Sequence, residues 1–73
     1  MNLTEVELFV TVKFVLENNP ALSSRLMRYG IHPGDVARVI RVAPLGGPLL
    51  IEVNGREIAL SREVAEKIFV EIQ

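Results

Sequence analysis

The dipeptide Asn54-Gly55 constrains the fold of this chain more than any other feature of its sequence. It stands between two segments that read as strands, Leu49 to Val53 and Arg56 to Leu60. Asn-Gly favours a two-residue hairpin turn because both residues tolerate a positive φ. A turn of this length also sets the register of the strands. The predicted cross-strand pairs are Leu49 with Leu60, Leu50 with Ala59, Ile51 with Ile58, and Glu52 with Glu57.

Three further segments have the composition of strands. Apolar residues alternate from Leu8 to Leu16, which is typical of a half-buried strand and predicts that Leu8, Val10, Val12, Phe14 and Leu16 share one face. Residues 36–43 predict a second strand, and residues 69–72 predict a short last strand that pairs with the first. In the second strand we expect Val36, Ile40 and Val42 on one face, Val39 and Ala43 on the other, and Arg38 and Arg41 on opposite faces.

Two segments predict helices. Asn19-Pro20 is a favourable helix start, because Asn accepts hydrogen bonds from free amide groups and Pro lacks only a donor that the first turn does not use. Helical spacing places Leu22, Leu26 and Tyr29 on the buried side of about three turns, and Gly30 ends the helix. Ser61 begins a second, short helix with Val64 and Ile68 on its inner side.

Together these elements predict one domain over residues 1–73, mainly β with two short helices, in which about five strands form a small barrel. A chain of 73 residues is near the lower limit for a single hydrophobic core, but 49% of its residues are apolar. Phe9, Phe14 and Phe69 lie in patterns that are typical of core residues.

Composition excludes several functions. A formal net charge of -1 argues against binding nucleic acid, which requires a basic face. There is no apolar run long enough to span a membrane and no signal peptide, so we expect no direct membrane insertion. The absence of cysteine rules out disulfides and thiolate sites and is consistent with a reducing cytoplasm.

The sequence provides little catalytic or metal-binding chemistry. His32 is the single histidine, and Ser23, Ser24 and Ser61 are better explained as helix-start residues than as nucleophiles. We therefore expect no enzyme activity and no cofactor. The weak metal candidates are His32, Asp35, Glu52 and Glu57. The predicted pair of glutamates is more simply neutralised by Arg38, Arg41 or Lys13 than by a metal ion.

The segment Pro44-Leu45-Gly46-Gly47-Pro48 is a predicted loop with an apolar residue at its tip. An exposed Leu is common on protein surfaces. A Leu on a loop stiffened by Pro is also a candidate contact point for a partner.

The motifs of this chain resemble the FeoA family of small SH3-like barrels. The family pattern, a Leu four residues before Gly-Ile-x-Pro-Gly and then a strand and Ala-Pro-Leu-Gly-x-Pro, is met by Leu26, Gly30, Ile31, Pro33, Gly34, Ala43, Pro44, Leu45, Gly46 and Pro48. The resemblance continues through residues 58–62 and covers nearly the whole chain. It departs from the family at Gly47, where Asp is common, and at Glu7-Leu8-Phe9, where a Pro-Gly or similar turn usually precedes the first strand.

The resemblance implies a cytoplasmic accessory protein that contacts the cytoplasmic part of the ferrous iron transporter FeoB. A similar barrel forms the C-terminal domain of iron-dependent repressors, so a regulatory domain is an alternative. A chaperone that carries Fe(II) is another, with weak Fe(II) or Zn(II) contact, and an edge-to-edge homodimer is a third. For the first function we expect a docking surface of Arg25, Met27, Arg28, Tyr29, Pro44, Leu45 and Gly46.

Overall fold

A computed structural model describes residues 1–15 and 19–73, and it shows a mainly β fold. The elements are a 3₁₀ turn (Leu3–Glu5), β1 (Thr11–Val15), α1 (Pro20–Met27), β2 (Val36–Val42), β3 (Leu49–Val53), β4 (Arg56–Leu60), α2 (Arg62–Ala65) and β5 (Phe69–Ile72). All five strands are antiparallel in one sheet of order β4-β3-β2-β1-β5. This confirms the predicted mainly β architecture with two short helices, which matches an SH3-like fold.

The β3–β4 hairpin has the predicted register. Leu49 pairs with Leu60, Ile51 with Ile58, and Glu52 with Glu57. Asn54 and Gly55 both have a positive φ, of 51° and 75°, as a two-residue hairpin turn requires. Arg38 on β2, one of the predicted neutralising cations, pairs with one member of the glutamate pair, because its Nη2 lies 2.5 Å from Glu52 Oε1.

A bulge in β2 makes the predicted faces of this strand wrong. Val39 pairs with Ile51, but Arg41 pairs with Leu50 and Val42 with Leu49, so Ile40 is an extra residue in the β2–β3 ladder. One extra residue reverses the alternation that follows it. Val42 therefore lies on the same side as Val39, and both arginines lie on the outer face, the face of the sheet turned away from the core.

The first strand begins later than predicted. Leu8 and Phe9 are exposed and lie in a turn in which the Val10 N–H donates to the Glu7 carbonyl oxygen over 3.4 Å. Phe9 adopts a φ of 67°, which places its backbone in the left-handed region. From Val12 onward the predicted alternation holds, with Val12 and Phe14 buried. The prediction for Leu16 lies outside the described residues.

Helix α1 starts as predicted and ends early. Asn19 Oδ1 accepts a hydrogen bond from the Leu22 N–H over 3.1 Å, and Pro20 is the first helical residue. Gly30 has a φ of 79°, and the Ile31 N–H donates back to the Leu26 carbonyl oxygen over 3.1 Å. The regular helix is over at Met27, so the helical spacing no longer applies to Tyr29. That side chain is exposed, which makes its predicted place in the buried stripe wrong.

The core lies between the inner face of the sheet, the helices and the start of the chain. Leu26, Ile31 and Ile51 are fully buried, as are Leu3 and Ile68. Ser61 Oγ caps α2 by accepting from the Val64 N–H over 3.2 Å, and Val64 is buried as predicted. Neither helix of the described residues has the length and apolar character needed to cross a membrane.

Two of the three phenylalanines are not core residues. Phe14 is buried, whereas Phe9 and Phe69 are 62% and 57% exposed. Phe9 lies in the turn before β1. Phe69 lies opposite Val15 on the outer side of β5, where the sheet has no covering layer among the described residues.

Candidate functional site

The helix-end surface consists of Arg25, Met27, Arg28 and Tyr29, and all four side chains are exposed. This was predicted for Arg25, Met27 and Arg28, whereas Tyr29 was expected on the buried side. This end of α1 is tied to the start of β4, because Arg56 Nη2 donates a hydrogen bond to the Tyr29 carbonyl oxygen over 2.5 Å. Gly30 makes room for that contact, since a Cβ at this position would collide with the Arg56 guanidinium group. The helix end is therefore held next to the Asn54-Gly55 turn.

The Leu45 loop comprises residues 43–48 and is closed by two backbone hydrogen bonds. The Gly47 N–H donates to the Pro44 carbonyl oxygen over 3.1 Å, and the Ala43 N–H donates to the Pro48 carbonyl oxygen over 3.0 Å. Leu45 and Gly46, the two central residues of this turn, have φ values of 60° and 73°. The Leu45 side chain is fully exposed. The loop therefore holds an apolar side chain in water on a strained backbone, at a cost of about 1–2 kcal/mol.

The structure does not bring the two halves of the predicted docking surface to the same end of the sheet. The helix-end surface is linked to Arg56, which follows the Asn54-Gly55 turn. The Leu45 loop precedes Leu49, at the opposite end of β3. The five residues of β3 span about 13 Å at the usual rise of a strand. A partner would have to reach along the sheet to contact both.

The metal candidates form two separate pairs. His32 Nδ1 lies 3.6 Å from Asp35 Oδ2, and Glu52 lies opposite Glu57. Asp35 is already engaged, because its Oδ2 accepts from the His32 backbone N–H over 2.9 Å and from Asn54 Nδ2 over 3.2 Å. The hydrogen bond from the His32 backbone is the main reason that the pKa of Asp35 is lowered. Residues 1–15 and 19–73 contain no group of three or more side chains that could hold a metal ion.

The two edges of the sheet, β4 and β5, bear on the predicted homodimer. The start of β5 is covered, because the Val70 N–H donates to the Met1 carbonyl oxygen over 2.9 Å and the Leu3 N–H donates to the Ile68 carbonyl oxygen over 2.9 Å. Edge-to-edge pairing between two copies stays a prediction, which sedimentation at several protein concentrations would test.

A groove on the outer face was not predicted as a site. It has a volume of about 180 Å³ and is lined by Arg41, Ala43, Pro48, Leu49, Leu50 and Ala59. Arg41 lies opposite Leu50, which lies opposite Ala59, so three neighbouring strands contribute one row of side chains. We call it the Arg41 groove. The pairing of Leu50 with Ala59 was predictable from the hairpin, but the position of Arg41 depends on the bulge at Ile40.

Comparison with known proteins identifies the family to which this geometry corresponds. The family model described as the FeoA domain matches residues 1–72. The solution structure of FeoA from Chlorobium tepidum is 34% identical, with a TM-score of 0.83 over 99% of this chain and 70% of that chain. The solution structure of iron(II) transport protein A from Clostridium thermocellum is 32% identical, with a TM-score of 0.85 over 99% of this chain. The present chain spans only 45% of that protein's length.

Two further structures extend the comparison to metals. FeoA of Stenotrophomonas maltophilia, crystallised with zinc, is 29% identical, with a TM-score of 0.73 over 97% of this chain and 89% of that chain. ScaR with bound Zn²⁺ is 26% identical, with a TM-score of 0.86 over 100% of this chain and 37% of that chain. These matches confirm the predicted resemblance to FeoA proteins and, in fold, to a domain of metal-binding regulators.

Proposed function

Because this chain belongs to the FeoA family, which is linked to ferrous iron transport, we propose that it is a non-catalytic, cytoplasmic accessory protein that binds the cytoplasmic part of the transporter FeoB. Its working part in this proposal is the exterior of the domain. The candidate contact residues are exposed, and the interior is filled by apolar side chains. No buried polar or charged residue is found in the described part of the chain.

The main support for this proposal is the conformation and exposure of Leu45. A fully exposed Leu at a φ of 60° lowers the stability of the fold and contributes nothing to its core. Strained residues persist where the surrounding structure holds them, and they are concentrated at sites of function. An apolar side chain held out in this way gains its favourable free energy when a partner removes it from water.

Binding of the purified soluble domain of FeoB from the same organism, measured by calorimetry with and without nucleotide, tests the proposal. We expect Leu45→Glu to weaken binding at least about tenfold, which corresponds to about 1.4 kcal/mol. Met27→Glu tests the helix-end surface separately. The matched control is Val36→Glu, which places the same charge on an exposed apolar position opposite Lys13 and should leave binding unchanged.

The outcomes distinguish an error about the role of the loop from an error about the proposed function. If Leu45→Glu binds like the unmodified protein, the loop is not part of the interface. If the unmodified protein binds the FeoB domain in neither nucleotide state, the proposed function is wrong. Circular dichroism of each variant excludes unfolding as the cause of a loss.

Metal binding is a second candidate function, favoured by the zinc-bound relative from Stenotrophomonas maltophilia. In this chain the only His–carboxylate pair among the described residues is His32 with Asp35. Titration of the ¹⁵N-labelled protein with Zn(II), or with Fe(II) under anaerobic conditions, tests it. Saturable shifts at residues 32–35 that disappear in His32→Ala would favour a metal carrier or sensor. An unchanged spectrum would contradict it.

A further inference from the structure

We propose that the Arg41 groove binds a short segment of the FeoB cytoplasmic region in which a large apolar side chain neighbours a carboxylate. This inference rests on the proposed function and goes beyond it, since it specifies the chemistry that the partner presents.

The shape of the groove indicates the apolar part of this segment. Leu50 forms its centre, and the small side chain of the exposed Ala59 leaves a recess on the β4 side. Ala43 and Pro48 close it on the side of the Leu45 loop. Its volume of about 180 Å³ is similar to that of engineered protein cavities of about 150 Å³ that bind benzene. The groove therefore accommodates one large aliphatic or aromatic side chain.

The charge of the groove indicates the acidic part. Arg41 is exposed, and within residues 1–15 and 19–73 it forms no salt bridge. The other arginine of the same strand, Arg38, is paired with Glu52. A guanidinium group beside an apolar surface can bind a carboxylate through two parallel hydrogen bonds. Because Arg41 is the only cation among the described residues that line the groove, a singly charged carboxylate matches it better than a doubly charged phosphate.

The groove is continuous with the Leu45 loop. Ala43 and Pro48 line the groove and also close the base of the loop through the hydrogen bond between Ala43 N–H and the Pro48 carbonyl oxygen. A segment seated beside Arg41 therefore lies against the base of the loop that presents Leu45. The bulge at Ile40 is what creates this arrangement, because it turns Arg41 to the outer face next to Leu50.

Two variants test the groove in the same FeoB binding assay. Ala59→Phe fills the recess, and Arg41→Glu reverses the charge at its rim. Each should weaken binding at least about tenfold. The matched controls are Ala21→Phe, on an exposed position of α1, and Lys67→Glu, on an exposed position near the end of α2; both should bind within about twofold of the unmodified protein.

Peptides identify the segment itself. Overlapping 15-residue peptides that cover the cytoplasmic sequence of FeoB are titrated into the ¹⁵N-labelled protein. We expect shifts at Arg41, Leu50 and Ala59 only from peptides that contain a large apolar residue within two positions of Asp or Glu. Replacing that acidic residue by Lys should abolish binding to the unmodified protein and restore it to Arg41→Glu.

The results distinguish this inference from the proposed function. Loss of binding by Leu45→Glu together with normal binding by Ala59→Phe and Arg41→Glu would overturn the groove and leave the proposed function intact. Binding of peptides without an acidic residue would overturn the role of Arg41. Failure of the FeoB domain to bind the unmodified protein would overturn both.

Discussion

Two turns at opposite ends of β3 have similar positive φ values at their central residues but different side chains. At one end, Asn54 and Gly55 have φ values of 51° and 75°. At the other end, Leu45 and Gly46 have values of 60° and 73°. Asn and Gly are residues that this geometry favours, whereas Leu is disfavoured in the left-handed region. The first turn is therefore explained by the fold alone, and the second is not.

This difference distinguishes a turn whose side chain stabilises the fold from a turn whose side chain makes no stabilising contact. Asn54 also donates a hydrogen bond to Asp35, so its side chain holds the turn to the start of β2. The Leu45 side chain is fully exposed, so truncating it should not lower the free energy of unfolding. We infer that partner binding, and not folding, accounts for Leu45, and four measurements test the comparison.

The largest effect is expected from Ile51→Ala, because β3 supports both turns. Ile51 is fully buried, and truncating a buried Ile to Ala typically destabilises a protein by about 2–5 kcal/mol. Urea denaturation should show this loss, and amide exchange should accelerate in both turns. Faster exchange in one turn only would show that the two are not supported by the same strand. Val42→Ala, at a half-exposed position, is the control and should lose far less.

The second prediction concerns the glycine of each turn. A Cβ added at Gly46 or Gly55 meets no atom within 4 Å, so the cost of Ala is that of the backbone conformation alone. Gly46→Ala and Gly55→Ala should each lower the free energy of unfolding by about 1–2 kcal/mol. Clearly unequal losses would contradict the equivalence of the two turns.

The third prediction concerns exchanging Leu45 and Asn54, the residues by which the two turns differ. Leu45→Asn should raise the free energy of unfolding by about 1 kcal/mol, since Asn tolerates the left-handed region. The same variant should bind FeoB more weakly. Asn54→Leu should lose more than Leu45→Asn gains, because it also removes the hydrogen bond to Asp35. If Leu45→Asn does not raise the free energy of unfolding, the backbone conformation at Leu45 does not lower the stability of the fold.

The smallest effect is expected from acid, and only at the Asn54 turn. Hydrogen bonds from His32 and Asn54 lower the pKa of Asp35 in the folded protein. Its ionised form therefore stabilises the fold above its unfolded pKa, and this contribution, below about 1 kcal/mol, is lost as the pH falls through the folded pKa. Urea midpoints of the unmodified protein and of Asp35→Asn should converge at low pH. The amide signals of the Leu45 loop should not follow this titration.

The sequence predicted those parts of the fold that depend on local chemistry. Asn54-Gly55 determined the β3–β4 register, and Asn19-Pro20 located the start of α1. Gly30 located the left-handed residue that follows α1, although the regular helix already ends at Met27. Ser61 was correctly identified as a cap. In each case the side chain that gives the signal also makes the contact, so no knowledge of distant residues is needed.

The errors occurred where tertiary structure overrides a regular pattern. The run from Val36 to Val42 contains no Gly or Pro, so nothing in its alternation indicates that Ile40 is an extra residue. The turn at Phe9 likewise lacks a turn-forming residue. The Arg41 groove depends on the bulge at Ile40 and on the pairing of three strands. From the sequence, only the pairing of Leu50 with Ala59 could be predicted.

The pairing of Asn2 with Phe69 has a practical consequence for engineering. The beginning of the chain and β5 lie side by side, so a short linker could join the two ends into a ring. The ring could then be reopened between Gly46 and Gly47, outside every strand. Such a circular permutant would keep the sheet and the core while releasing the constraint on Leu45. It would show whether recognition requires the leucine itself or the rigid shape in which it is presented.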